Sequence, residues 1–105
     1  MDERIYVGSK RKIGIGTEPI GDITLSQCDF SIELYCSPFK PVVFQKGDAE
    51  KIDENSYSVI LDSTIVGVGK LKCKLIVGIP DESFADGVRV EFVYFYTGIE
   101  ILPPL

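Results

Sequence analysis

The stretch of sequence that decides the fold covers residues 62–87 and reads D-S-T-I-V-G-V-G-K-L-K-C-K-L-I-V-G-I-P-D-E-S-F-A-D-G. Its central segment, residues 70–77, alternates between two kinds of side chain. The apolar residues share one parity and the lysines share the other: Leu71, Cys73, Leu75, Val77 against Lys70, Lys72, Lys74. A period of two predicts a β-strand with one face on a core and the other in water. Glycines before the segment and a Pro-Asp pair after it indicate turns at both ends.

Further strand-like segments lie on both sides of this one. Residues 28–36 alternate in the same way, short apolar segments follow at 42–44 and 57–61, and residues 88–101 are rich in β-branched and aromatic side chains. No segment has a helical period. We therefore predict an all-β fold, an immunoglobulin-like antiparallel β-sandwich of about seven strands with a short N-terminal arm or hairpin. Because the chain has no tryptophan, it lacks the Cys–Trp–Cys core of antibody domains.

The alternation in residues 88–101 changes along the segment. It begins with apolar residues at even positions and charged residues between them, and continues as an unbroken apolar run: Val88, Arg89, Val90, Glu91, Phe92, then Val93, Tyr94, Phe95, Tyr96. Either both faces are covered there, or a bulge at Thr97-Gly98 changes the register. Three of the aromatic side chains, Tyr94, Phe95 and Tyr96, could stack on a ligand. We expect them in the core instead, since aromatic side chains dominate small cores.

The N-terminal segment differs in charge from the rest of the chain. Residues 1–23 carry no net charge, so the whole net charge of −5 falls on residues 24–105. We divide the chain accordingly into an N-terminal arm or hairpin (1–23) and the sandwich (24–105). The segment is either a first hairpin or edge strand of the sandwich, or an arm that lies on a partner. In the second case the partner-binding residues are Ile5, Tyr6, Val7, Lys10, Arg11, Lys12, Ile13 and Ile15.

Composition excludes several classes of function. A single domain of 105 residues is long enough to form a core without staples. The negative net charge argues against a nucleic-acid partner. The sequence contains neither a signal-peptide pattern nor a membrane-spanning apolar run, so we predict no membrane partner and synthesis in the cytoplasm. Three cysteines do not make a secreted disulfide framework, and all three fall at predicted inward positions, where we expect free thiols.

Catalytic chemistry is not indicated. The chain has no histidine, so the usual general base, the commonest metal ligand and the histidine-dependent nucleophiles are missing. Glycine pairs at 14–16 and 67–69 are not followed by a helix, and two S-x-x-K matches lack their partner motifs. The acidic residues of segments 48–54 and 81–86 do not match an EF-hand. We predict a protein that is not an enzyme and that holds no cofactor and no metal.

The order of several short motifs resembles that of a known domain. These motifs are D-F-S-I-E-L-Y at 29–35, Y-S-V-I-L-D at 57–62, G-V-G-K-L at 67–71, I-P-D at 79–81 and F-A-D-G-V-R at 84–89. Together they resemble the immunoglobulin-like N-terminal domain of phage upper baseplate and tail-fibre proteins, particularly in phages of gut Bacteroidetes. In those larger proteins a shaft or receptor-binding region follows the sandwich, and we expect a stand-alone sandwich here.

This resemblance implies a virion protein made in the cytoplasm of the bacterial host. A lone sandwich implies a capsid auxiliary or decoration subunit, or a head-fibre-type subunit, which belongs to a larger assembly. Its partners would be other virion proteins, either the major capsid protein or tail proteins. Two alternatives stay open, a tail or baseplate adaptor and a host receptor or glycan-binding module.

Overall fold

The structure is a computed structural model that describes residues 3–37 and 39–105. Within these two segments the chain forms eight strands, one short α-helix and two 3₁₀ turns, at Leu25–Gln27 and Lys46–Asp48. The strands and the helix are β1 (Glu3–Tyr6), β2 (Lys10–Gly16), β3 (Asp29–Tyr35), β4 (Val42–Gln45), β5 (Glu50–Asp53), β6 (Ser56–Asp62), α1 (Ser63–Val66), β7 (Gly69–Pro80) and β8 (Val88–Leu102).

The strands are arranged in two sheets. The first sheet has the order β1-β8-β7-β3-β4 and the second has the order β2-β6-β5. Neighbouring strands are antiparallel except β1, which runs parallel to the end of β8. The predicted all-β sandwich is thereby confirmed, with eight strands in the described residues where about seven were expected.

The core lies between the sheets and consists of the inward-facing residues, which alternate along each strand. On β7 the inward residues are buried throughout: Leu71, Cys73, Leu75, Val77, Ile79. The alternating set of β3 and that of β6 are buried as well: Phe30, Ile32, Leu34 and Tyr57, Val59, Leu61. The period-two prediction for residues 70–77 is therefore confirmed. Cys28 and Cys73 are buried free thiols as expected, whereas Cys36 is only half-buried because it follows the last residue of β3.

The N-terminal residues contribute a strand to each sheet. β1 pairs with residues 99–102 of β8, and β2 pairs with β6 along its whole length. Ser63, at the start of α1, ties down the turn between them. Its hydroxyl accepts from the N–H of Gly8 at 2.8 Å and donates to the carbonyl of Ser9 at 2.6 Å. The first strands are thus held to both layers of the sandwich.

A bulge divides β8 into two parts. Leu71 pairs with Ile99 and the next residue, Lys72, pairs with Tyr96, so that Thr97 and Gly98 have no partner on β7. Gly98 has a φ of 84°, and the Thr97 hydroxyl donates to the carbonyl of Leu71 at 2.7 Å. Of the two alternatives that the sequence left open, the bulge at Thr97-Gly98 is therefore the one present. Since two residues are inserted, the odd-numbered residues of β8 face the core side both before and after it.

Candidate functional site: the outer face of strand β8

The apolar alternation of β8 faces away from the core. In the register with β7, Phe92 lies opposite Ile76, Tyr94 opposite Lys74 and Tyr96 opposite Lys72, all on the solvent face of the first sheet. We call the five even-numbered residues the outer row: Val88, Val90, Phe92, Tyr94, Tyr96. Their exposed fractions range from 37% to 61%. An uninterrupted row of exposed apolar side chains on one strand is unusual in a monomer and marks a binding surface.

The expectation that Tyr94 and Tyr96 lie in the core is wrong, because both lie on the outer face of the first sheet, which the second sheet of the described residues does not cover. Tyr94 is 61% exposed and Tyr96 is 37% exposed. Phe95 belongs to the opposite parity, pairs with Cys73 and is half-buried against the core. Charged side chains share its parity instead. Arg89 Nε lies 3.3 Å from Glu91 Oε1, an ion pair without the alignment of a hydrogen bond.

Lysine side chains of β7 lie beside the outer row. Lys70 Nζ lies 5.6 Å from the ring centroid of Tyr96, and Lys74 Nζ lies 5.2 Å from that of Phe92. Cation–π contacts of this kind contribute about 0.5–1 kcal/mol at exposed sites. Lys74 also reaches Glu33 of β3, at 3.8 Å between Nζ and Oε2. The outer face therefore combines apolar area with positive charge, although the whole chain is acidic.

An apolar groove of about 360 Å³ lies on the other side of β8. Val93 and Phe95 form its wall on the strand, and Ile20, Ile23 and Leu25 form the opposite wall. Val93 is 42% exposed there, so the second sheet does not cover this part of β8 completely. Both faces of the strand are consequently accessible over residues 88–94.

The candidate partner-binding residues of the N-terminal segment are not brought together. Ile5, Ile13 and Ile15 are buried in the core of this chain, and Val7 is half-buried against it. The remaining side chains are exposed and lie on different sheets: Tyr6 on the first, Lys10, Arg11 and Lys12 on the second.

Two of these exposed side chains already form ion pairs within the chain. Arg11 Nη1 lies 2.6 Å from Glu3 Oε1, and Lys12 Nζ lies 3.5 Å from Glu50 Oε2. Of the eight predicted residues, only Tyr6, Lys10, Arg11 and Lys12 present exposed side chains that a partner could contact.

The shifted pKa values of the cysteine thiols and of Asp81 follow from burial and from hydrogen bonds within the fold. Burial raises the pKa of the Cys73 thiol to about 12, and burial also raises the pKa of Cys28 and of Cys36. Thiols in this state are poor nucleophiles. The hydrogen bond from the Ser83 hydroxyl lowers the pKa of Asp81, which caps the turn between β7 and β8. Residues 3–37 and 39–105 contain no group of three or more potential ligands that could hold a metal ion.

The exposure of the outer row could not be predicted from the sequence, because a period of two defines two faces of a strand but not which face is buried. Arg89 and Glu91 lie on the side of the core, although charged side chains rarely share a parity with the core. The register with β7 decides the matter, and it places Val93 opposite Leu75. No local signal in residues 88–96 carries that information.

Comparisons with protein-family models, with curated proteins and with solved structures each found no match to this chain. In the part of the chain that the structure describes, no helix has the length and apolar character needed to cross a membrane.

Proposed function

We propose that this protein is a non-enzymatic structural subunit of a phage virion, which binds neighbouring virion proteins through the outer row and the lysines beside it. The observation that carries the proposal is the exposed apolar face of β8, with Phe92 and Tyr94 each more than half exposed. The virion assignment rests on the motif order of residues 29–89, and the role we propose is that of a capsid auxiliary, decoration or head-fibre-type subunit. A tail or baseplate adaptor would use the same surface.

The composition of the face suits a protein partner. Interfaces are enriched in tyrosine, phenylalanine and other large apolar side chains, which give much contact area for little loss of conformational entropy. Removing apolar surface from water contributes roughly 25 cal/mol per Å². The outer row is also preorganised, because a regular strand and two cation–π contacts hold its rings.

The lysines indicate what the partner surface contains. Lys70, Lys72 and Lys74 form a row parallel to the aromatic row, and only Lys74 has an acidic partner among the ion pairs of the described residues. A matching surface would have an apolar centre with carboxylates or backbone carbonyls along one side. Burial of the rings would supply affinity, and the charges would fix orientation.

The test uses particles of the phage that encodes this chain, prepared with its gene deleted, to which the recombinant protein is added back. We expect wild-type protein to bind the particles at a fixed stoichiometry and Tyr94→Ser to bind at least tenfold more weakly. The matched control is Ile60→Ser, because Ile60 is 64% exposed on the outer face of the second sheet. Equal binding by both variants, or absence of the chain from wild-type particles, would contradict the proposal.

A glycan-binding role is the second candidate, and the exposed ring of Tyr94 favours it because sugar rings stack on exposed aromatic side chains. A glycan array with specific hits that disappear in Tyr94→Ser would support this role. An array without specific hits, together with binding to particles, would leave the protein partner as the function.

A further inference from the structure

Strand β8 also has an open edge. β7 pairs with one side of β8 along residues 88–96, and on the other side β1 pairs only with residues 99–102. In the described part of the chain no strand covers the segment 88–96, which is roughly 30 Å long for nine residues at about 3.4 Å each. Uncovered edges of this length readily pair with another strand.

The edge strands of the two sheets are protected, and β1 is one of them, with four residues of which Glu3 and Arg4 are charged. β4 has four residues and follows Pro41, and β5 has four residues, a register shift and three charged side chains. β2 begins with three consecutive basic residues. Short length, charge and irregularity are the usual means of preventing edge pairing. In the segment 88–96 the only charged residues are Arg89 and Glu91, which pair with each other.

The hydrogen-bonding groups at this edge can be assigned from the turn before β8. The N–H of Asp81 donates to the carbonyl of Gly87 at 2.8 Å, so the backbone groups of Gly87 point toward β7. Since these groups alternate sides along a strand, the even-numbered residues of the segment point away from β7. The N–H of Val88 accordingly donates to Asp86 Oδ1 at 3.2 Å. Val90, Phe92 and Tyr94 therefore present their N–H and C=O groups at the open edge.

We propose that two copies of this protein pair edge to edge through residues 88–96 of β8, antiparallel about a two-fold axis at Phe92. In this register Phe92 lies opposite Phe92 of the second copy, and Val90 lies opposite Tyr94 of the second copy. All of these residues point their backbone groups at the edge, so each pair exchanges two hydrogen bonds. The pairing joins the two five-stranded sheets into one continuous sheet.

The edge segment 88–96 is complementary to itself, so the strand that we propose to pair with it is the same segment of a second copy. On the outer face the register opposes aromatic to aromatic and aromatic to β-branched side chains, which are favourable cross-strand pairs. On the inner face it opposes Glu91 to Val93 and Arg89 to Phe95, so that like charges never meet. An axis shifted to Glu91 would oppose two carboxylates, and an axis at Val90 would pair only residues 88–92. The axis at Phe92 is the one that pairs the whole segment.

This inference goes beyond the proposed function and does not depend on it. Edge pairing uses backbone groups in the plane of the sheet, whereas the proposed virion contact uses side chains that project from its outer face. The pair would bring the two outer rows together at Phe92 and create a continuous apolar surface of twice the length. A failure of one proposal leaves the other intact.

The first test uses sedimentation equilibrium of the full chain from micromolar to millimolar concentration. We expect the wild-type mass to rise from 11.6 kDa toward twice that value. Val90→Pro should remain at the monomer mass, because it removes an edge N–H that β7 does not use and proline is tolerated at such edge positions. The matched control Val90→Thr keeps the N–H and should associate like the wild type. A wild type that stays at 11.6 kDa, or a Val90→Pro protein that associates normally, would overturn the proposal.

The second test examines the register and applies even if the proline variant does not fold. In a double variant with Val90→Lys and Tyr94→Lys the new charges would face each other across the axis, and the same holds for a double variant with Val90→Glu and Tyr94→Glu. Each double variant should be monomeric alone, whereas an equimolar mixture should form a heterodimer with at least tenfold higher affinity than either homodimer. A mixture that remains monomeric would overturn the register at Phe92.

Discussion

Strands β7 and β8 are neighbours with nearly the same alternation, and they use it in opposite ways. β7 turns its apolar residues, such as Leu75, into the core and its lysines into water. Up to Tyr96, β8 turns its even-numbered apolar residues into water and places Arg89 and Glu91 on the parity of the core. The difference follows from their neighbours. β7 has a strand on each side and a sheet over one face. Among the residues that the structure describes, β8 pairs with one strand only along residues 88–96, and Phe92 and Tyr94 are more than half exposed on its outer face.

The two strands differ in role because they differ in which apolar set they bury. An alternating strand that buries its apolar set stabilises the fold of its own chain. A strand that exposes this set contributes little to the stability of the isolated chain, and its apolar area remains available to a partner. The two roles can be separated by substitutions at adjacent positions of the first sheet.

The largest expected effect is the loss of a core side chain on β7. Leu75 is fully buried, so Leu75→Ala should lower the free energy of unfolding by about 2–5 kcal/mol. Phe92→Ala removes a larger side chain from the next strand but should cost no more than about 1 kcal/mol, because it loses exposed area and one cation–π contact. Urea denaturation at dilute protein concentration measures both. Similar losses for the two variants would mean that the outer row belongs to the core.

A smaller effect is expected at the bulge that separates the two parts of β8. Gly98 has a φ of 84° and open space where a Cβ would lie, so Gly98→Ala should cost about 1 kcal/mol through backbone strain alone. Gly47→Ala is the matched control, since Gly47 also has open space but no positive φ. The same denaturation experiment applies. Equal losses in the free energy of unfolding for the two variants would show that the bulge does not require a glycine at position 98.

The smallest effect concerns the turn that joins the two strands. Hydrogen bonds from the Ser83 hydroxyl and N–H, with the charge of Arg89, hold the pKa of Asp81 below its usual range. The ionised carboxylate therefore stabilises the turn above the pKa of Asp81 in the unfolded chain, and this contribution is lost as the pH falls through the lower pKa of the folded state. Titration by NMR should give a low midpoint for Asp81, and Ser83→Ala should raise it. An unchanged midpoint in Ser83→Ala would contradict this assignment.

Much of the fold could be predicted from the sequence, because β7, β3 and β6 bury the parity that their alternation indicates. The bulge could also be placed, since a glycine next to a β-branched residue interrupts the pattern at Thr97-Gly98. The sequence predicts about seven strands, and the described residues form eight. These features depend on local chemistry and a period of two.

The candidate site could not be predicted, because its position depends on pairing between distant residues. The face of Phe92 and Tyr94 is set by the register with Ile76 and Lys74, which no property of residues 88–96 specifies. The N-terminal strands present the same difficulty. Ile5 and Ile13 pack into one core from different sheets, and the local sequence suits an arm as well as an edge strand.

Amide hydrogen exchange, measured residue by residue in dilute monomeric protein, tests most directly the claim that β8 is open along residues 88–96 while β7 is enclosed. The N–H groups of Val90, Phe92 and Tyr94 should exchange rapidly, whereas those of Glu91 and Val93, and those along β7, should be protected. Slow exchange at Val90, Phe92 and Tyr94 under these conditions would mean that the chain covers its own edge, and it would contradict the open edge along residues 88–96.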